Sequence, residues 1–395
     1  MKKIVTMVGT SLFENYIEDN KDENFKDYID SLKDRGAEEY EGEKRRINYI
    51  RDKLEGWFSE KEDKINISAE IKSLAKLMEE LKDTSEIYLL YSDTVLSRLA
   101  GEFLKEKASQ FLELNGSKVY CKIISDLQVK DRQKFTRGMV NLIKEIYNIS
   151  GEYWNDVVIN ITGGYKATIP YLTILGQVNR CPIYYIFENT DALIEIPHIP
   201  LNVDWTIFGR NKEFFIELEE EGIKEVPSGI FNEEEVGSLL ERVDNLIELN
   251  PLGITLWEKY KEQYDIFFIS KFVKEDLDKN NDEYKGSFKG ALKKLKEEIE
   301  GGSSNPDLHH TLKGLDTKGF ECFKVRGSRI RLLYKKEEKQ TRYGSTEIKL
   351  YIGSVAIESE VHNSNDEYIE KFRNDLNSKE IEDFNSYIPY KIERR

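Results

Sequence analysis

A chain of 395 residues with 39% apolar and 11% aromatic content can bury the cores of two or three domains. It has no run of about 18 apolar residues, so no membrane span is expected, and three scattered cysteines (Cys121, Cys181, Cys322) without a CxxC pair fit a reducing cytosol and count against a zinc ribbon or a disulfide framework. The net charge of −15, taken whole, counts against a nucleic-acid partner, but its distribution along the chain matters more.

From the N-terminus, MKKIVTMVG runs directly into a strand pattern, Ile4–Val8, ended by Gly9-Thr10-Ser11. Its apolar stretch is too short for a signal peptide, so a cytoplasmic protein is expected. A long charged helical region follows over about 21–81. Next comes the strand Glu86–Tyr91, ended by Ser92-Asp93-Thr94, and a helix through Leu96, Leu99 and Phe103. Val119–Ile124 and Val157–Ile161 are further strands, with a helix over Phe135–Tyr147 between them. A helix over Ala167–Val178 and the strand Ile183–Phe187 close the series. Apolar runs separated by helices predict a parallel sheet with helices on both faces. Ligands in such sheets bind outside the carboxyl ends of the strands. Three such ends are candidates: Gly9-Thr10-Ser11, Ser92-Asp93-Thr94 and Thr162-Gly163-Gly164.

The stretch VVINITGGYKAT, Val157–Thr168, is the most informative of these. A buried strand runs into two glycines that let a ligand approach the backbone, and a helix opens near Lys166. Thr162 and Lys166 add a hydroxyl and a cation, and the helix start adds positive potential. The expectation is an anion site, with phosphate as the ligand group. VGTSLF is not GxGxxG and TGGYKAT is not GxxxxGK[ST], so neither a common dinucleotide fold nor a P-loop ATPase is expected.

Residues 208–263 read as a small helical or winged-helix connector, with acidic helices over Asn211–Glu221 and Asn232–Leu249. Residues 264–395 read as an α+β unit: a strand (Tyr264–Ser270), two helices (Lys271–Asp278, Tyr284–Glu300), three strands (Phe320–Val325, Ile330–Tyr334, Glu347–Ile352) and a closing helix. This last unit carries 25 basic and 25 acidic residues, so the −15 lies entirely in front of it. In FECFKVRGSRIRLLY the strands alternate with period two, so Phe323 and Val325 face one way and Lys324 and Arg326 the other. Arg329 and Arg331 alternate with Ile330 and Leu332 on the return strand. Gathered cations repel unless an anion lies among them, and a single-stranded RNA in a cleft fits that need. His362 carries the side-chain type suited to a general acid or base near neutral pH. The adjacent His309 and His310 do not converge on a metal, and no metal or cofactor is expected.

Two family resemblances follow from these motifs. The C-terminal unit resembles the RelE family of mRNA interferase toxins through its opening strand and helix pair, LKG at Leu312–Gly314, GF…KVR…RIRLLY and GS…ESEVH. That resemblance implies metal-free cleavage of mRNA in the ribosomal A site by the RNA's own 2′-hydroxyl, giving a 2′,3′-cyclic phosphate and a free 5′-hydroxyl. It implies Lys324, Arg326, Arg331 and His362 as catalytic residues, Lys324 being the candidate general base. Lys313, Lys318 and Arg329 are further RNA-binding cations. Cys322 and Ala356 stand where better-known members carry a lysine and an arginine. The N-terminal 207 residues resemble the CARF family of type III CRISPR sensors through Gly9-Thr10-Ser11, DLQVKDRQKFTRG at Asp126–Gly138 and NITGGYKA at Asn160–Ala167. That resemblance implies a Rossmann-like domain, a homodimer and a cyclic oligoadenylate ligand, cyclic tetra-adenylate first among them. Gly9, Thr10, Ser11, Ser92, Asp93, Thr94, Thr162, Gly163, Gly164, Tyr165 and Lys166 would form its site.

The expected organisation is thus a sensor (1–207), a winged-helix-like connector (208–263) and a RelE-like domain (264–395). The expected function is a ligand-activated, ribosome-dependent endoribonuclease of antiviral defence, with the ribosomal stalk as a candidate docking point. Two alternatives stand beside it: a ligand-gated protein that blocks the A site without cutting, and a ligand-regulated DNA-binding protein. The acidity of 208–263 counts against the latter.

Overall fold

In the computed structural model, the apolar run at the N-terminus becomes β1 (Lys2–Val8), whose last five residues are all buried. The structure describes residues 1–112, 116–151, 153–187, 192–225, 236–301, 308–310, 312, 315–325, 330–340, 346–357 and 367–394. They form two compact units: Met1–Ile207 with Glu221–Lys259, and Phe208–Glu220 with Tyr260–Arg395. The segment 208–263 is therefore shared between the two.

In the first unit, β1 is followed by four helices, α1 (Ser11–Asn20), α2 (Glu23–Leu32), α3 (Lys44–Glu60) and α4 (Ala69–Leu81). Then come β2 (Ser85–Ser92), α5 (Val95–Phe111), β3 (Lys118–Ile124), α6 (Arg132–Ser150), β4 (Val157–Asn160), α7 (Ile169–Asn179), β5 (Ile183–Ile186) and β6 (Leu193–Ile196). The sheet order is β3-β2-β1-β4-β5-β6, with parallel pairing throughout except for the antiparallel edge strand β6. This is the parallel, helix-covered sheet that the apolar runs predict. Capping side chains start the helices: Ser68 accepts from the Ile71 N–H (3.2 Å), Thr94 from Ser97 (3.3 Å) and Asp131 from Lys134 (3.0 Å). Leu12, Phe13, Phe25, Ile50, Leu54, Leu74 and Phe103 pack one continuous core on β1 and β2.

Two short helices, α8 (Thr206–Arg210) and α9 (Lys212–Glu221), lead to β7 (Lys224–Glu225). Of the helix expected over Asn232–Leu249, the part from Gly237 on is not formed: Gly237–Leu239 is a 3₁₀ turn followed by a hairpin of β8 (Leu240–Val243) and β9 (Leu246–Leu249), and 232–235 lie outside the described residues. Leu239, Leu240, Val243, Leu246 and Ile247 satisfy helical spacing on paper, but Asp244-Asn245 makes the turn, with Asp244 at φ 56°. Ile247 and Leu249 then point inward while Leu246 is exposed, the period of a strand. The pair β8-β9 with β7 is a three-stranded sheet. Asn250-Pro251 starts α10 (Pro251–Gln263), and the Asn250 carboxamide oxygen accepts from the Leu252 and Gly253 N–H groups at 3.0 and 2.9 Å.

The second unit opens with β10 (Tyr264–Ile269), α11 (Lys271–Lys279) and α12 (Asp282–Glu300). It continues with β11 (His309–His310), β12 (Glu321–Lys324), β13 (Ile330–Gln340), β14 (Thr346–Ile357), α13 (Glu367–Asn377) and β15 (Ile388–Glu393). The sheet order is β11-β12-β13-β14-β10-β15, antiparallel except where β10 meets β14. One face carries Phe323, Val325, Ile330, Leu332 and Ile352 against Leu277, Phe288 and Leu292 of the helix pair. The other carries Cys322, Leu333 and Ala356 against Phe372 and Leu376 of α13. The sheet is thus α+β as expected, with the helix pair on one face and α13 on the other.

Candidate functional site

The strand order places the first candidate site. Going outward from β1, the sheet runs to β2 and β3 on one side and to β4 and β5 on the other. The chain therefore reverses direction between β1 and β4, and a crevice opens at their carboxyl ends. A cavity of about 680 Å³ lies there, lined by Gly9-Thr10-Ser11 after β1 and by Thr162, Gly163, Gly164 and Lys166 after β4. Two of the three predicted strand ends are brought together.

The glycine turn is held in place from below. Asn160, the last residue of β4, is fully buried. Its carboxamide donates to Thr6 Oγ1 (3.2 Å) and Ser73 Oγ (2.7 Å) and accepts from the Thr162 N–H (3.2 Å) and hydroxyl (2.8 Å). Thr162 Oγ1 in turn accepts from the Ile186 N–H at 3.0 Å. Only glycine fits the next two positions. A Cβ on Gly163 would lie 2.5 Å from the Met7 carbonyl oxygen, and Gly164 sits at φ 82° with its Cβ position 2.5 Å from Met7 Cβ. Among the described residues, the Gly163 and Gly164 N–H groups have no hydrogen-bond partner. Lys166 is exposed in the 3₁₀ turn that precedes α7, and Tyr165 caps that turn through its carbonyl, outside the cavity lining.

The acid beneath this turn escapes sequence reasoning. Glu70, in the first turn of α4, is 1% exposed and lines the cavity. Its carboxylate accepts from the Gly9 N–H (2.8 Å) and the Ser11 hydroxyl (2.7 Å). A Cβ on Gly163 would lie 2.5 Å from Oε1. Ser11 Oγ also accepts from the Ala69 N–H at 3.1 Å, which ties the two turns to α4. A carboxylate therefore lies beside the start of α1. Lys72 and Lys166 are balanced by Glu14 and Glu70 in the lining, so the cavity has no net formal charge. No local pattern links a helix residue at position 70 to turns at positions 9 and 163.

Ser92, Asp93 and Thr94 are not part of this cavity. They end β2, one strand away from the reversal, and the loops before α3 and after β3 close over them. Ser92 Oγ donates to Ser97 Oγ (2.7 Å), and Asp93 accepts from the Asp126 N–H (2.9 Å). Burial raises the Asp93 carboxyl pKa above the ordinary range, against the pull of that N–H. The triplet is a cap and a loop clasp.

The second candidate site lies on a sheet face. Lys324 and Arg331 are directly opposite each other on β12 and β13, and Arg331 is opposite Ala356 on β14. The next row towards α13 is Cys322, Leu333 and Ser354. Ser354 is fully buried, and its hydroxyl donates to Asp375 of α13 at 2.5 Å. Cys322 and Ala356 are 1% and 0% exposed beneath α13, so a long cation at either place would be buried in an apolar layer. Burial pushes the Cys322 thiol up to about 12, with Arg331 pulling the other way. Lys318 stands at φ 50° and its ammonium pairs with Glu382 at 2.9 Å. Lys313, Arg326, Arg329 and His362 lie outside the described residues.

Residues 65–199, which include Glu70 and the glycine turn, match the family Cas_APE2256, CRISPR-associated protein. Among solved structures the chain is similar to Can2 from Sulfobacillus thermosulfidooxidans in complex with cyclic tetra-adenylate. That likeness has 10% identity and a TM-score of 0.25, and covers 65% of this chain and 63% of that one. The chain thus spans less than two thirds of that structure. No curated protein matches it. Among the described residues no cluster of histidine, cysteine or carboxylate side chains could hold a metal, and no helix is long and apolar enough to cross a membrane.

Proposed function

We propose that the chain is a cyclic-oligoadenylate-activated endoribonuclease of type III CRISPR defence, with cyclic tetra-adenylate as activator. The observation that carries this reading is the cavity at the β1/β4 reversal. It offers the unpartnered Gly163 and Gly164 N–H groups and Lys166 to a phosphate, and its glycine turn lies inside the segment that matches a CRISPR-associated family. The sensor pairs as a homodimer, so that one ring contacts two cavities. Ligand-driven movement passes through α9 and α10, whose residues are shared between the two units. The ribosome presents mRNA to the basic face, and the ribosomal stalk is the docking point.

At that face the RNA 2′-hydroxyl attacks the adjacent phosphorus. A new O–P bond forms and the bond to the 5′-oxygen breaks, leaving a 2′,3′-cyclic phosphate and a 5′-hydroxyl. Lys324 is the base that takes the 2′-proton, and His362 returns a proton to the departing oxygen. Arg326 and Arg331 stabilise the extra negative charge of the phosphorane, a contact that typically contributes ~10²–10³ in rate. The register supports the pairing of Lys324 with Arg331, because facing side chains across two antiparallel strands lie close together.

The test is to mix the protein with mRNA-programmed ribosomes, with and without rings of four or six adenylates, and to map new 5′ ends. Ring-dependent ends that need ribosomes support the reading. A second reading, occupation of the A site without cleavage, is favoured by the buried Cys322 and Ala356, which leave the face with fewer cations than the RelE resemblance implies. Stalled ribosomes on intact mRNA would establish it instead.

A further inference from the structure

Glu70 is an anomaly in a phosphate-binding cavity. It is a carboxylate, 1% exposed, packed against Gly163 and facing the space into which the ligand would go. A carboxylate can accept about four hydrogen bonds, and each oxygen of Glu70 receives one from the described residues, from Gly9 N–H and from Ser11 Oγ. A nucleotide that displaces water from the cavity must supply donors to the remaining lone pairs or leave them unsatisfied. A phosphate cannot do so, because it is itself an acceptor and is repelled by a carboxylate at close range.

We propose that Glu70 reads a hydrogen-bond donor of the bound nucleotide and so sets which way round the ligand lies. The phosphate turns toward Lys166 and the Gly164 N–H. The donor turns toward α4 and meets the Glu70 carboxylate. Two groups of an adenylate have this chemistry, the ribose 2′-hydroxyl and the adenine 6-amino group. The inference rests on the nucleotide reading of the cavity given above. It adds a specificity-determining residue that lies in neither glycine turn.

The experiment is calorimetric titration of the full chain with three rings: cyclic tetra-adenylate, its 2′-deoxy counterpart and its inosine counterpart, which lacks the 6-amino group. Wild type should lose about 10- to 100-fold in affinity for one of the two analogues, the usual worth of a hydrogen bond to a charged group. The analogue that suffers identifies the donor. In Glu70→Gln that preference should fall toward unity, whereas Lys166→Ala should weaken all three rings alike. Equal binding of the three rings to wild type overturns the inference, as does an unchanged preference in Glu70→Gln. If Glu70→Gln does not fold, the wild-type comparison still decides. Failure of every ring to bind wild type overturns the nucleotide reading itself, and the inference with it.

Discussion

The two sheets of this protein make candidate sites in opposite ways. In the first unit the strands are parallel and the site lies at their ends, where β1 and β4 diverge and their turns form a cavity. In the second the strands are mostly antiparallel and the proposed site lies on a face, where register sets Lys324 opposite Arg331. A strand-end site is built from turns held by side chains such as Asn160 and Glu70. A strand-face site is held by ladder hydrogen bonds and by cores on both sides, with little freedom to move. The first arrangement is the one proposed to sense, the second the one proposed to hold fixed charge at a reacting phosphate.

Breaking the face should have the largest effect. Arg331→Ala is expected to lower ring-dependent cleavage on programmed ribosomes by ~10²–10³, with ring binding unchanged by calorimetry. A fall in binding to match would merge the two sites into one. The glycine turn comes next. Gly164→Ala forces a Cβ into Met7 at a positive φ, so the variant should lose ~1–3 kcal/mol of stability by denaturant titration. Lys166→Ala removes an exposed cation from the cavity lining. It should raise the ring concentration needed for activation by a few-fold to ~30-fold.

The smallest effect concerns the cysteines. Burial raises the thiols of Cys121, Cys181 and Cys322 to about 12. Native protein at pH 8 should therefore resist alkylation, while the unfolded chain, with thiols near the ordinary ~8.5, reacts. The sign for stability follows: the folded state holds these protons more tightly. The thiols' contribution is fully present below about 8.5 and is lost as pH rises toward 12. Rapid labelling of any of the three in the native protein would contradict the packing described.

Much of this architecture was legible in advance, for identifiable reasons. The strands of the first unit announce themselves as apolar runs, and the Thr-Gly-Gly turn marks where a backbone must come close. The apolar face of the second sheet was legible from alternation, since Phe323 and Lys324 must point to opposite sides. Three things were not. The hairpin over 240–249 shares its apolar spacing with a helix, and only the Asp244-Asn245 turn decides between them. The role of Ser92-Asp93-Thr94 depends on strand order, which runs of apolar residues do not reveal. Glu70 reaches the cavity only because α4 packs beside β1, a tertiary fact about a residue that reads as an ordinary first-turn acid.

The central claim is that the strand-end cavity gates chemistry on the sheet face of the other unit. Its most direct test is to measure ring binding and mRNA cleavage together in wild type, Lys166→Ala and Arg331→Ala. The account predicts that Lys166→Ala weakens binding and shifts cleavage to the same higher ring concentration, while Arg331→Ala binds normally and does not cut. Full cleavage by wild type in the absence of any ring, or cleavage that persists in Arg331→Ala, would contradict it.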